Sequence, residues 1–115
     1  MLDEPLLIYT TCPDDATGEK LARLLVETCL AACVNLTPHL KSIYAWEGRV
    51  EEASEVGLSI KTRCSLKEKV CDLVMAHHPY KTPALWCMPM EAGSQATLEW
   101  LVQVTQDKDH EGLRH

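Results

Sequence analysis

Two adjacent histidines, His77 and His78, stand directly before Pro79 in the stretch AHHPYKTP. Imidazoles that are neutral near pH 7 are nitrogen donors for late first-row ions such as Cu²⁺ and Zn²⁺. Neighbouring side chains on a helix diverge by about 100°, so this pair can grip one ion only where the helix has already unwound before the proline. The competing reading is a plain helix C-terminus, where an imidazole meets the negative end of the helix dipole for about 0.3–1 kcal/mol. Cys12 offers a sulfur donor beside the N-terminus of the first predicted helix, where the dipole lowers a thiol pKa. Its bland alternative is a small residue leading into a turn. Asp14 and Asp15 serve as outer partners of such a site or simply as helix caps.

The other reactive side chains read as structure. Cys29 and Cys33, four apart among alanines and leucines, align on one helical face as small buried hydrophobes. Cys64, Cys71 and Cys87 form no C-x-x-C pair, so neither a zinc ribbon nor a thioredoxin-type motif is supported. Glu51-Glu52 belongs to a solvated hairpin. Glycine-rich phosphate loops and nucleophile elbows are absent.

The bulk composition narrows the class. With 46% hydrophobic and 24% charged residues the 115-residue chain has the balance of one ordinary globular domain, with an ordered core of about 5–106 and a polar, loose tail over 107–115. Six cysteines fall short of a disulfide scaffold and are expected as free thiols. A net charge of −6 with scattered Lys and Arg argues against nucleic acid as a partner. No apolar run approaches the roughly 20 residues of a spanning helix, so no membrane partner is expected. The acidic opening Met1 to Pro5 lacks the basic start of a secretory signal, and a cytoplasmic location is expected.

Periodicity places the elements that must carry these residues. Leu6 to Thr11 reads as a buried strand, followed by a helix capped by Asp14 or Asp15 with Leu21, Leu24, Leu25, Thr28, Ala31 and Ala32 inside, ending near Ala32 or Cys33. Cys33 to Leu36 opens a second extended segment, and Leu40 to Lys61 follows period two around a reversal at Glu47-Gly48. Val56, Leu58 and Ile60 alternate with Glu55, Gly57, Ser59 and Lys61, an apolar face against a polar one. Ser65 and Glu68 predict a capping box for a helix with Leu66, Val70, Leu73 and Val74 inward, stopping at His77 or His78. A strand from Ala84 to Met90 and a final helix to about Gln106, with Leu98, Leu101 and Val102 inside, complete the chain.

That order predicts an α+β fold, a ferredoxin-like βαββαβ sandwich with an extra C-terminal helix. If the first strand runs upward, Cys12 and the His77-His78 pair share the top end, while Cys33 lies at the bottom. The long hairpin outreaches the helices that should cover it, leaving Ile43, Tyr44, Ala45 and Trp46 at a bare tip beside unpaired edges. Burial of Tyr44 and Trp46 against another copy of the chain is therefore predicted.

Three stretches, TTCPDDATGEKLARLLVETCLAACVNL, SIYAWEGRVEEASEVGLSIKT and HHPYKTPALWCMPM, together resemble the CutA divalent-cation tolerance family over roughly Leu6 to Gln106. The resemblance implies a compact homotrimer with Tyr44 and Trp46 at the trimer interface, copper or other divalent cations as ligands, and no enzymatic reaction. It also implies a copper site on His77 and His78 with a cysteine at the end of the first strand. Thr10 occupies that cysteine's position here, and Cys12 follows two residues later on the same strand face. The expected function is thus that of a trimeric metal-ion-binding tolerance protein with His77, His78 and Cys12 as ligands. A signalling or scaffolding trimer that takes a small anion or a protein in its inter-subunit grooves is the alternative. A thiol enzyme using Cys12 with His77 as base lacks an orienting third group.

Overall fold

The computed structural model describes residues 3–106; the tail over 107–115 that was expected to be loose lies outside the described residues. The chain runs β1 (Pro5–Cys12), α1 (Asp15–Glu27), β2 (Cys33–Trp46), β3 (Arg49–Arg63), a 3₁₀ turn (Cys64–Leu66), α2 (Lys67–His77), β4 (Trp86–Pro89) and α3 (Gln95–Val104). Its four strands form one antiparallel sheet in the order β2-β3-β1-β4. This is the ferredoxin-like α+β arrangement the element order predicts.

Strand alternation decides what faces the helices. Leu6, Ile8, Thr10 and Cys12 of β1 and Val56, Leu58 and Ile60 of β3 point into the core, where they meet Leu21 and Leu25 of α1 and Val70 and Val74 of α2. Cys12 is thus the last residue of β1 and shares the core face of Thr10. On β3 the face read as polar is not uniformly wet, since Glu55 and Gly57 are buried as well.

Several boundaries depart from the periodicity, each for a local reason. The Asp14 carboxylate caps α1 by accepting from the Thr17 amide at 2.8 Å. The helix stops at Glu27 rather than near Ala32, because the Thr28 hydroxyl bonds back to the Leu24 carbonyl and Cys29 adopts the left-handed conformation at φ 60. Cys33 consequently opens β2, and the single helical face proposed for Cys29 and Cys33 does not exist. The Ser65 hydroxyl, expected to cap α2, is taken by the Asp3 carboxylate, and α2 begins after a 3₁₀ turn without a side-chain cap. The strand β4 is shorter than Ala84 to Met90. The hairpin closes through Glu47 at φ 49 and Gly48 at φ 77, a two-residue turn with both central residues left-handed. A register shift between Thr37 and Leu40, with His39 at φ 64, breaks the β2 pairing.

The hairpin strands, 14 and 15 residues long, reach about 50 Å, against about 20 Å for the 13-residue α1. Ile43, Tyr44, Trp46 and Val50 are accordingly exposed in the single chain. At the opposite end Arg63 ties three segments together. Its guanidinium donates to the Asp3 carboxylate at 2.8 Å, and to the Thr105 hydroxyl and carbonyl at 2.7 Å each.

Two consequences are measurable. A methyl at Gly18 in α1 would lie 3.1 Å from Leu36, 3.2 Å from the Cys12 sulfur and 3.3 Å from Leu58. Gly18→Ala gains about 1 kcal/mol of helix propensity but overpacks the helix–sheet contact at a cost of about 1–3 kcal/mol. A lower melting temperature is expected, and an unchanged one would show that α1 can move off the sheet freely. Burial alone would raise the Asp3 carboxyl, but the Ser65 hydroxyl and amide and the Arg63 guanidinium hold it below its ordinary 3.8. Its stabilisation is therefore full above that value and is lost as pH falls through the lowered folded pKa. Asp3→Asn is expected to cost about 1 kcal/mol in thermal melts at pH 7, with the gap to the parent closing as the melts are moved below pH 3.8.

Candidate functional site

The end of β1, the end of α2 and the base of the hairpin meet in one corner. α2 is helical through His77, and His78 leaves the helix with φ −80 and ψ 138, the extended geometry that Pro79 imposes on its predecessor. The two side chains are thereby sent different ways. His77 remains on the exposed last turn, whereas the His78 ring is buried at 7% exposure.

Both nitrogens of His78 are engaged. Nδ1 accepts from the Tyr80 amide at 3.1 Å, which leaves Nε2 to donate its proton to the Thr11 carbonyl at 2.8 Å. The ring also packs on Tyr80, with centroids 4.7 Å apart. Cys12, next to Thr11, is fully buried, and its thiol faces the Val56 carbonyl at 3.7 Å and the Asp14 carbonyl at 3.5 Å. Burial pushes this thiol up to about 11, and the carboxylates of Asp14, Glu55 and Asp15 add to the rise. The depression expected from the α1 dipole is thus reversed.

The sulfur and the imidazoles sit at one corner, but they do not form a ready donor set. Among the described residues no group of three or more His, Cys, Asp or Glu side chains is arranged to hold a metal ion. A metal at His78 must displace the Thr11 carbonyl or the Tyr80 amide, and a metal at Cys12 must draw a protonated thiol out of the core. The corner is therefore not a preformed metal site, and of the two adjacent histidines His77 is the one whose imidazole faces solvent.

The corner contains a second constellation. Tyr80 donates its hydroxyl proton to Glu55 Oε2 at 2.7 Å. The Glu55 carboxylate, on a residue of 9% exposure, also accepts from the Ser42 and Thr11 hydroxyls. Burial alone would raise its pKa, yet the three hydroxyls and the nearby His78 hold it below the ordinary glutamate value, so it stays charged. The same carboxylate, together with burial, pushes the Tyr80 phenol up. Above Glu55 opens a cavity of about 500 Å³ whose walls include Tyr44, Trp46 and Tyr80, with Lys81, Thr82 and Ala84 completing the lining. Sequence reading missed Glu55, because strand alternation assigns it to a wet face. Its partner Tyr80 lies 25 positions away in a loop, and no spacing rule connects the two.

The family profile described as CutA1 divalent ion tolerance protein matches residues 6–104 of this chain. The divalent-cation tolerance protein CutA of Pectobacterium atrosepticum is 43% identical over 105 residues, covering 88% of this chain and 96% of that protein. Human protein CutA is 44% identical over 98 residues, which are 85% of this chain. The chain spans little more than half the length of its mammalian relatives, 55% of the human protein and 59% of the mouse one. Among solved structures, CutA1 from Oryza sativa superposes with a TM-score of 0.87 at 38% identity, over 90% of this chain and 95% of that one. Sequence and fold agree over nearly the whole described region, and the chain belongs to the CutA1 divalent ion tolerance family.

Proposed function

We propose that this protein is a non-catalytic, cytoplasmic homotrimer that binds copper or another divalent cation as part of metal tolerance. The observation that carries the reading is the histidine corner at the end of α2, in a chain whose bacterial relative is named for divalent-cation tolerance. His77 is exposed on the last helical turn, and His78 has left the helix, so both imidazoles can reach one ion only if the His78 ring turns out of its buried position. His77 is the first contact. His78 joins only by giving up the Thr11 carbonyl or the Tyr80 amide, which makes binding costlier than at a preformed site. Cys12, buried and protonated, is the least accessible of the three.

A non-catalytic role is supported by the same thiol. A nucleophilic cysteine needs a depressed pKa and access, and Cys12 has neither. Self-association is supported by the hairpin tip, where Trp46 is 54% exposed and Ile43 66% exposed on a sheet edge. A groove for a small anion fits poorly, because the cavity beside this hairpin has a carboxylate at its floor.

Two experiments test this. Calorimetric titration of Cu²⁺ should give a binding isotherm that His77→Ala/His78→Ala abolishes and Cys12→Ser leaves unchanged; identical isotherms for the parent and the double-histidine variant would remove the site. Sedimentation at micromolar concentration should return three times the chain mass, whereas a monomer would refute association through Tyr44 and Trp46.

A further inference from the structure

Cys71 of α2 and Cys87 of β4 meet between the helix layer and the edge of the sheet. Cys87 pairs across the antiparallel ladder with Ile8, a fully buried residue on the helix-facing side, so its thiol points the same way. Cys71 follows Val70 on α2, and both cysteines pack half-buried against the core. Their side chains interact directly, Cys87 being a hydrogen-bond partner of the Cys71 thiol. The sulfurs of Cys12 and Cys33, by contrast, face oxygen atoms of Asp14, Val56 and Asn35. Motif reading passes over the pair because it belongs to no C-x-x-C pattern.

Two neighbouring thiols that lose their protons can hold one soft ion. The number of donors says which. Among the described residues no third His, Cys, Asp or Glu side chain joins them. Structural zinc takes about four ligands and calcium or magnesium about six oxygens, so each of these would be left short of partners. Monovalent ions of the copper group are soft and closed-shell, and two thiolate sulfurs satisfy them. Burial holds the Cys71 thiol up, with Cys87 and Asp72 adding to the rise and Lys67 opposing it. Binding must therefore expel a proton that the thiol otherwise keeps, which ties affinity to pH.

We infer that Cys71 and Cys87 form a two-thiolate binding site for a soft monovalent copper-group ion, seated between α2 and β4. Two metal–sulfur bonds form and two S–H bonds break; both protons pass to the solvent, and no electron is transferred. The site differs from the histidine corner in place, in donor atoms and in the charge of the ion it takes. Both ligands come from one chain and lie off the hairpin on which self-association is proposed. Half-burial leaves the sulfurs within reach of an arriving ion while the core fixes the helix and the strand that carry them.

The test is anaerobic titration of the reduced, intact protein with Cu⁺ against bicinchoninate, a chromophoric chelator. Each chain should withhold a single Cu⁺ from the chelator, and X-ray absorption should show sulfur alone around the ion. Cys71→Ser and Cys87→Ser should each weaken binding by at least about a hundredfold, whereas His77→Ala/His78→Ala and Cys12→Ser should leave it unchanged. Between about pH 6 and 7 the affinity should rise about a hundredfold, roughly tenfold for each proton released. Binding that survives both serine variants, that is lost in the double-histidine variant, or that does not move with pH would overturn the inference. So would nitrogen in the coordination shell, or no Cu⁺ withheld from the chelator. If the serine variants fail to fold, the coordination shell and the pH slope of the unaltered protein decide alone.

Discussion

His78 gives its Nε2 proton to the Thr11 carbonyl and takes the Tyr80 amide proton on Nδ1, and the geometry of this end of the sheet follows from those two bonds. The first joins the end of α2 to the end of β1, residues 67 positions apart. They also fix the direction in which the chain leaves after Pro79, which carries the Tyr80 hydroxyl onto Glu55. A buried imidazole with both nitrogens satisfied is a rigid strut, because breaking either bond would leave a polar atom orphaned in a poorly hydrated place. The same fact governs metal chemistry at this corner. An ion can take His78 only by displacing the Thr11 carbonyl or the Tyr80 amide, both already in position.

The Glu55 cluster shows how a charged residue comes to be buried on a strand that alternation would leave wet. Its neighbours on the sheet face opposite the helices would expose it, but Tyr80 arrives over it and Ser42 and Thr11 flank it. Three hydroxyl donors are enough to keep the carboxylate ionised, though they do not neutralise it. The hydrogen bonds from the hydroxyls do most to keep it charged, and the nearby His78 adds to it.

The hairpin raises the opposite question, of apolar surface without cover. Its strands outrun the helices by more than a factor of two in length, so no packing within one chain can bury Ile43, Tyr44, Trp46 and Val50. Tyr44 and Trp46 border the Glu55 cavity as well, which places the tip's aromatic surface and the buried carboxylate in one region of the molecule.

Much of this was written in local pattern. The alternation of β1 and β3, the left-handed pair Glu47-Gly48, the Asp14 cap and the halt of α2 before Pro79 are each decided by residues within a few positions of one another. Strand order then follows from their succession, because short antiparallel connections leave few alternatives. What the sequence could not disclose were choices made by distant partners. Ser65 reads as a helix cap until Asp3, 62 positions earlier, takes its hydroxyl. Cys12 reads as a thiol beside a helix dipole until packing against Val56 buries it, and desolvation then outweighs the dipole. His77 and His78 are chemically identical in the chain, and only the tertiary fold makes one a solvent-facing donor and the other a strut. Short-range sterics and periodicity act within a segment, whereas burial, ionisation and hydrogen-bond partnership depend on what the rest of the chain brings into contact.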